Sequence, residues 1–173
     1  MRVLLTGAAG WLGRHLKPRL VALGAEVVGL DIAPSPGTDV VGTVADRALV
    51  ARLFRERRFE AVVHAGALHK PDIARFPAQA FIDANVTGTL NLLEAATAAR
   101  ARFVFTSTTS LMISQAIRAE RGAAAVWLDE RAGPLEPRNV YGVTKLAAEG
   151  LCRIASQNLP VVVLRTARFF PMD

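Results

Sequence analysis

One tyrosine occurs in the 173-residue chain, and a lysine stands four positions after it, in Tyr141-Gly142-Val143-Thr144-Lys145. On a helix that spacing puts both side chains on one face. A phenol that titrates near pH 10 is a weak base at neutral pH, but an ammonium beside it favours the phenolate and lowers its pKa. The pair is suited to take a proton from a hydroxyl or to return one. A second group of reactive side chains is the run Thr106-Ser107-Thr108-Thr109-Ser110, which follows apolar Phe103-Val104-Phe105. Hydroxyls at the carboxyl end of a parallel strand face the ligand crevice, where one of the five can hold a substrate oxygen against the phenol.

Proton transfer at a carbinol is useful when something accepts the hydride, and the amino terminus carries a fitting site. Thr6-Gly7-Ala8-Ala9-Gly10-Trp11-Leu12-Gly13 lies between the apolar run Val3-Leu4-Leu5 and an amphipathic segment. Glycines there let the backbone turn tightly and approach a pyrophosphate, whose charge meets free N–H groups at a helix start. The spacing is G-x-x-G-x-x-G, not the G-x-G-x-x-G of many dehydrogenases. Asp31 closes the next apolar run, where a carboxylate can accept hydrogen bonds from an adenosine ribose. It would repel a 2′-phosphate, and Ile32-Ala33-Pro34 offer no arginine to receive one. NAD is therefore expected rather than NADP, and its oxidised nicotinamide would add to the charge favouring the Tyr141 phenolate.

These residues need a scaffold, and the sequence alternates short apolar runs with longer amphipathic ones. Val3–Leu5, Glu26–Leu30, Val40-Val41, Ala61–His64, Phe103–Phe105 and Val161–Leu164 read as six strands. Trp11–Leu23, Asp46–Arg57, Pro77–Ala99 and Tyr141–Gln157 read as helices, and Ala33–Thr38 as a loop. Continuous apolar strands separated by helices imply a parallel sheet covered on both faces with right-handed crossovers. The fold class expected is α/β, a doubly wound parallel sheet of six strands, the Rossmann fold, in one domain over 1–173.

Composition narrows the rest. Half the residues are apolar, and the net charge of +6 comes from arginines spread along the chain rather than gathered on one arm. That distribution argues against a nucleic-acid partner. No run is long enough for a signal peptide or membrane span, so the cytoplasm and no membrane partner are expected. Cys152 is the only cysteine, cannot make an internal disulfide, and sits in an apolar helical pattern that suits an inert thiol. No metal site is expected.

With these residues placed, the chain resembles the extended short-chain dehydrogenase/reductase superfamily, in its NAD-dependent epimerase/dehydratase branch, along nearly its whole length. Thr6 to Gly13 match the family's T-G-A-x-G-x-x-G, which implies cofactor contacts from Gly7, Gly10, Trp11, Leu12 and Gly13. His64-Ala65-Gly66-Ala67 is similar to the small-residue segment that passes close to the dinucleotide, implying contacts from Ala65, Gly66 and Ala67. Asn85-Val86-Thr87-Gly88-Thr89-Leu90-Asn91-Leu92-Leu93-Glu94 resembles the motif whose first Asn, here Asn85, steadies the active site. The resemblance implies Thr108, Tyr141 and Lys145 as catalytic residues. Asp31, Thr106, Tyr141, Lys145 and Phe169 join the cofactor contacts, Phe169 through the closing segment Arg168-Phe169-Phe170-Pro171.

Four departures accompany the match. Thr43 stands where an acidic adenine contact is frequent, with Asp46 nearby. Phe170 stands where the nucleotide-sugar branch commonly has Asn, and residues 108–141 are long enough for an inserted loop around Arg118–Gly122 and Ala123–Ala125. Family members also run on to a seventh strand and a small C-terminal domain. The chain is thus expected to hold the cofactor half, with the substrate domain largely absent. The implied function is NAD-dependent oxidation, epimerisation or dehydration at the hydroxyl of a sugar or nucleotide sugar. The alternatives are a non-catalytic dinucleotide-binding or redox-sensing module, or an inactive fragment of such an enzyme. The resemblance also implies a homodimer through a four-helix interface using the helices around 85–99 and 141–157. Leu92, Ala95, Leu146 and Leu151 on those helices could equally pack against the sheet.

Overall fold

The computed structural model describes residues 1–119 and 127–167. In chain order it contains β1 (Arg2–Thr6), α1 (Trp11–Ala22), β2 (Glu26–Asp31), β3 (Val40–Val41), α2 (Arg47–Arg57) and β4 (Ala61–His64). A 3₁₀ turn (Lys70–Ala74) leads to α3 (Ala78–Phe81), a π-helical segment (Ile82–Thr87) and α4 (Gly88–Ala99). Then come β5 (Arg102–Thr108), a 3₁₀ turn (Thr109–Leu111), α5 (Gln115–Ala119), α6 (Val140–Ala155) and β6 (Val161–Thr166). The sheet has six strands in the order β3-β2-β1-β4-β5-β6, every pairing parallel. This is a doubly wound sheet, the fold class expected from the sequence, and its switch point lies between paired β1 and β4, from which the chain runs to opposite halves.

Side chains alternate across β1, so Leu4 enters one apolar layer while Val3 and Leu5 enter the other. The larger layer joins Leu4, Leu30, Val62 and Phe105 to Leu53 of α2, Leu92 of α4 and Ala148 of α6. The smaller joins Val3, Leu5 and Val27 to Leu16 and Leu20 of α1. Burying such residues fully is worth about 1.5–3 kcal/mol each, and these two layers hold the strand ends in register.

Two helix starts are fixed by short polar side chains accepting a free N–H. Asp46 accepts from Leu49 (3.0 Å) to start α2, and Asn139 accepts from Gly142 (2.9 Å) to start α6. The carboxylate near Thr43 is thus engaged in capping a helix. The run 77–99, read as one helix, is broken in register at Asn85 by the π-helical segment. Strands β5 and β6 each run further than their apolar cores, to Thr108 and Thr166, because Ser107 pairs with Arg165 and Thr108 with Thr166. The inserted-loop reading falls largely on 120–126, and Phe169 with its neighbours on 168–173. Both lie outside the described residues. Among the described residues no helix is long and apolar enough to cross a membrane.

Candidate active site

The glycine-rich turn is built almost wholly from backbone. Gly7 has φ +73°, a conformation L side chains rarely adopt, and a Cβ there would lie 2.6 Å from the Gly66 nitrogen. A Cβ on Gly13 would lie 2.2 Å from the Gly7 carbonyl oxygen. Gly10 ends the turn in extended geometry, and Trp11 and Leu12 begin α1. Trp11 stacks on His15 with ring centroids 4.6 Å apart. The turn rests against Ala65–Gly66 at the end of β4, where Gly66 N–H donates to Thr6 Oγ1 (3.1 Å). Ala65, Gly66 and Ala67 are all half-buried.

Asp31 faces this turn from the end of β2. Its Oδ2 accepts from the Ala9 N–H (2.9 Å) and its Oδ1 from the Ala33 N–H (2.9 Å). One bond per oxygen leaves lone pairs for further donors, which is the state a ribose-reading carboxylate needs.

The Tyr/Lys pair is buried: Tyr141 is 9% exposed and Lys145 3%. Both lie in the first turns of α6, packed on the carboxyl end of β5. The five hydroxyls there sort by strand alternation. Thr106 donates to the His64 carbonyl (2.9 Å), and Ser107 points the other way to Glu149. Thr108 donates to Ser110 Oγ (3.0 Å) and lies beside the Tyr141 phenol. Thr109 donates to the Thr166 carbonyl (3.4 Å), and the Ser110 main-chain N–H donates to the Thr108 hydroxyl (3.2 Å). Of the five, Thr108 is the hydroxyl that bears on the phenol.

One expectation is corrected. The phenol of Tyr141 is raised above its ordinary value, first by burial, with the Thr108 hydroxyl pulling the other way. Lys145 does not counter this, and its ammonium is directed to the end of β5. It donates to the Thr106 carbonyl and lies 4.1 Å from the centroid of the Phe105 ring. Burial lowers Lys145 itself to about 8, opposed by Cys152 and Glu149. The Cys152 thiol is pushed up to about 12 by burial, which agrees with an inert core cysteine.

Asn85 is 2% exposed and clasps the main chain of Leu68, accepting from its N–H (2.8 Å) and donating to its carbonyl (3.0 Å). It also donates to Thr144 Oγ1 (3.0 Å), and Thr144 donates to the Tyr141 carbonyl (2.9 Å). Three contributors escape sequence reasoning. Thr144 is hidden inside the Tyr/Lys spacing, and His64 reads as a strand end. His69, whose ring lies 5.6 Å from that of Tyr141, carries no spacing signal at all. A hollow of about 270 Å³ opens beside the phenol, bordered by Lys70, Ser110, Arg138, Asn139 and Tyr141. The larger groove, about 1070 Å³, lies between α6 and β6 and does not include the phenol. Among the described residues no cluster suits a metal ion.

Comparison with known proteins matches this arrangement. Residues 3–170 fit the model of the NAD dependent epimerase/dehydratase family. The UDP-glucose 4-epimerase of Lactobacillus helveticus is 30% identical over 158 residues, covering 86% of this chain and 45% of that protein. GDP-6-deoxy-D-mannose reductase of Pseudomonas aeruginosa is 33% identical, covering 87% and 46%. The chain thus spans about half the length of the curated relatives it matches. Among solved structures, a Thermus thermophilus UDP-glucose 4-epimerase complex with NAD superposes with TM-score 0.79 at 31% identity, covering 95% of this chain and 54% of that one. A short-chain dehydrogenase/reductase superfamily protein from Agrobacterium tumefaciens with bound NAD gives 0.78 at 32% identity, covering 95% and 48%. By family model, fold and neighbours that hold NAD, this chain belongs to the NAD-dependent epimerase/dehydratase family of the short-chain dehydrogenase/reductase superfamily.

Proposed function

We propose that the protein carries out NAD-dependent hydride transfer at the hydroxyl-bearing carbon of a sugar of the nucleotide-sugar class, with Tyr141 moving the proton. The observation that carries this reading is the buried Tyr141 phenol, flanked by the Thr108 side chain, with Lys145 one helical turn further on. The printed names of the relatives, UDP-glucose 4-epimerases and a GDP-6-deoxy-D-mannose reductase, support the nucleotide-sugar class.

NAD fits the residues present: Gly7 and Gly13 let the turn close on backbone that a Cβ would strike, and Asp31 keeps lone pairs free beside the turn. Gly7, Gly10, Gly13, Trp11 and Leu12 would hold the pyrophosphate end, Asp31 the adenosine ribose, and Ala65–Ala67 the passage toward the nicotinamide. NAD, when bound, accepts or returns the hydride.

The chain's own residues handle the proton. Burial keeps the phenol protonated, the form that donates to a developing alkoxide in the reducing direction. In the oxidising direction the phenolate is required, and the Thr108 hydroxyl favours it. Thr108 is placed to hold the substrate oxygen at Tyr141. Lys145 fixes the end of β5 through the Thr106 carbonyl, and Asn85 fixes the first turn of α6 through Thr144. Lys70 and Arg138 border the hollow where the substrate would enter.

Tyr141→Phe in the protein as its gene encodes it should lose turnover by about 10²–10⁴-fold while NAD affinity stays within about twofold. Retained turnover would assign the proton to another group. No hydride transfer from any nucleotide sugar, with NAD still bound, would leave a dinucleotide-binding module.

For self-association, Leu92 lies in the core, and Ala95 and Leu151 pack against it. A four-helix homodimer would therefore use the outer positions Leu90 (37% exposed) and Val143 (49%). Light scattering at high micromolar concentration distinguishes dimer from monomer.

A further inference from the structure

His64 ends β4 with its ring 1% exposed, and every proton around it can be assigned from partners with only one role open to them. Gly66 N–H donates to Thr6 Oγ1, so the Thr6 proton is free to reach His64 Nδ1, 2.6 Å away. On the other side Thr89 donates its proton to the Asn85 carbonyl (2.6 Å). Its oxygen must then accept from His64 Nε2–H, at 3.0 Å. The ring is thereby fixed as the neutral Nε2–H tautomer. Asn85 passes the connection to Thr144, and Thr144 to the Tyr141 carbonyl. The His64 main-chain carbonyl takes the Thr106 hydroxyl, and the Thr106 carbonyl takes Lys145.

A ring that only filled space would need none of this. His64 packs against Phe103 (6.2 Å between centroids) and Phe105 (5.7 Å), a site where an apolar side chain would serve without burying polar atoms. Fully paired buried networks impose one geometry, because every alternative arrangement leaves a buried donor or acceptor unpaired. Burial, aided by Lys145, lowers the ring to about 3, so the network keeps its proton arrangement over the neutral range.

We propose that His64 is a positioning residue that couples the glycine-rich turn to Tyr141: Gly66 and Thr6 link its ring to the turn, and Thr89, Asn85 and Thr144 link it to the first turn of α6. Occupancy of the turn is then felt at the phenol without the occupant touching it. The proposal rests on the turn being the dinucleotide site, but it does not depend on the protein's being catalytic.

Two measurements test it. Ring-¹⁵N spectra of the chain's three histidines should show one neutral Nε2–H imidazole that does not titrate between about pH 5 and pH 8. If His64 is charged in that range, or is the Nδ1–H tautomer, the proposal is overturned with no variant needed. The second measurement uses the single tyrosine, whose ¹³Cζ signal reports Tyr141 alone. ADP, the half of NAD that ends at the pyrophosphate, should displace this signal in the wild type. Thr89→Ser, which keeps the hydroxyl, should retain the displacement, and Thr89→Val should lose most of it at ADP saturation verified by calorimetry. A Thr89→Val protein whose tyrosine still follows ADP, or a wild type whose tyrosine ignores bound ADP, would overturn the coupling. Coupling present without hydride transfer would instead count against the enzymatic reading alone.

Discussion

The glycine-rich turn and the Tyr141 corner lie at the same end of one sheet, yet they are made of different material. The turn is backbone: three glycines, the start of α1, and one carboxylate that binds main-chain N–H groups. The corner is side chain: a phenol, an ammonium, an amide and several hydroxyls, with Tyr141, Lys145, Asn85 and Thr144 below a tenth exposed. Backbone geometry is dictated by residues adjacent in sequence, whereas buried side chains are dictated by whatever tertiary packing brings to them. The first should fail by steric exclusion and the second by changes in protonation and pairing.

The sharpest way to test the backbone side is Gly13→Ala. Its Cβ would meet the Gly7 carbonyl at 2.2 Å, so the turn must open, and NAD affinity should fall at least about 100-fold by calorimetry, roughly 2.7 kcal/mol. Gly24→Ala is the control: its φ of +82° strains the chain, but nothing lies within 4 Å, so stability should drop and NAD binding should survive.

The side-chain half should show itself through pH. His64 is lowered from 6.5 to about 3 in the fold, so the unfolded chain binds a proton that the folded chain refuses. Its contribution to stability is complete above pH 6.5 and is lost as pH falls toward 3. The slope approaches about 1.4 kcal/mol per pH unit, or on the order of 2 kcal/mol by pH 5. Urea melts at stepped pH check this, and His64→Asn should flatten the acid limb.

Lys145 has the same sign in a higher pH window. Its ammonium is lowered from 10.5 to about 8 by burial, so folding carries a cost below pH 8 that fades as pH rises toward 10.5. Lys145→Met should therefore stabilise the fold at pH 7 by roughly 1–2 kcal/mol. That figure sets relief of the buried charge against the donor lost by the Thr106 carbonyl. Its advantage should shrink in melts at higher pH. Equal stability of the two proteins at pH 7 would mean that the Thr106 and Phe105 contacts offset the burial completely.

The smallest effect expected is cofactor choice. Asp31 should favour NAD over NADP by about tenfold, near 1.4 kcal/mol, and Asp31→Ser should narrow that ratio by removing the charge. Equal affinities in the wild type would take Asp31 out of the ribose site.

The same division explains what could be read from the sequence. The six strands, the glycine turn and Asp31 were legible because each is set by local pattern: apolar runs, φ requirements and a carboxylate at a strand end. Tyr141 and Lys145 were legible as a pair by spacing, but the effect of one on the other was not. Lys145 is drawn to the Thr106 carbonyl and the Phe105 ring, contacts contributed by β5 some forty positions earlier. His64 and Thr89 were illegible for the same reason, since a histidine between an apolar run and small residues gives no sign of two hydroxyl partners. The break within 77–99 was missed because a π-helical segment keeps an apolar pattern close to that of an α-helix.

That segment has a consequence for how the chain can vary. A π-helical turn carries about one residue more than an α-helical turn. Each residue of an α-helix advances the helical phase by about 100°. Phe81 on one side of the segment and Leu92 on the other are both fully buried, and Asn85 between them is aimed at Leu68 and Thr144. Deleting one residue from 82–87 would let the stretch relax to an α-helix and rotate one flank against the other. Either Phe81 or Leu92 would then leave the core, or Asn85 would leave its partners. Point replacement at the outward positions Ile82 and Asp83 carries no such penalty. The stretch should accordingly tolerate drift in residue type while resisting any change in residue number.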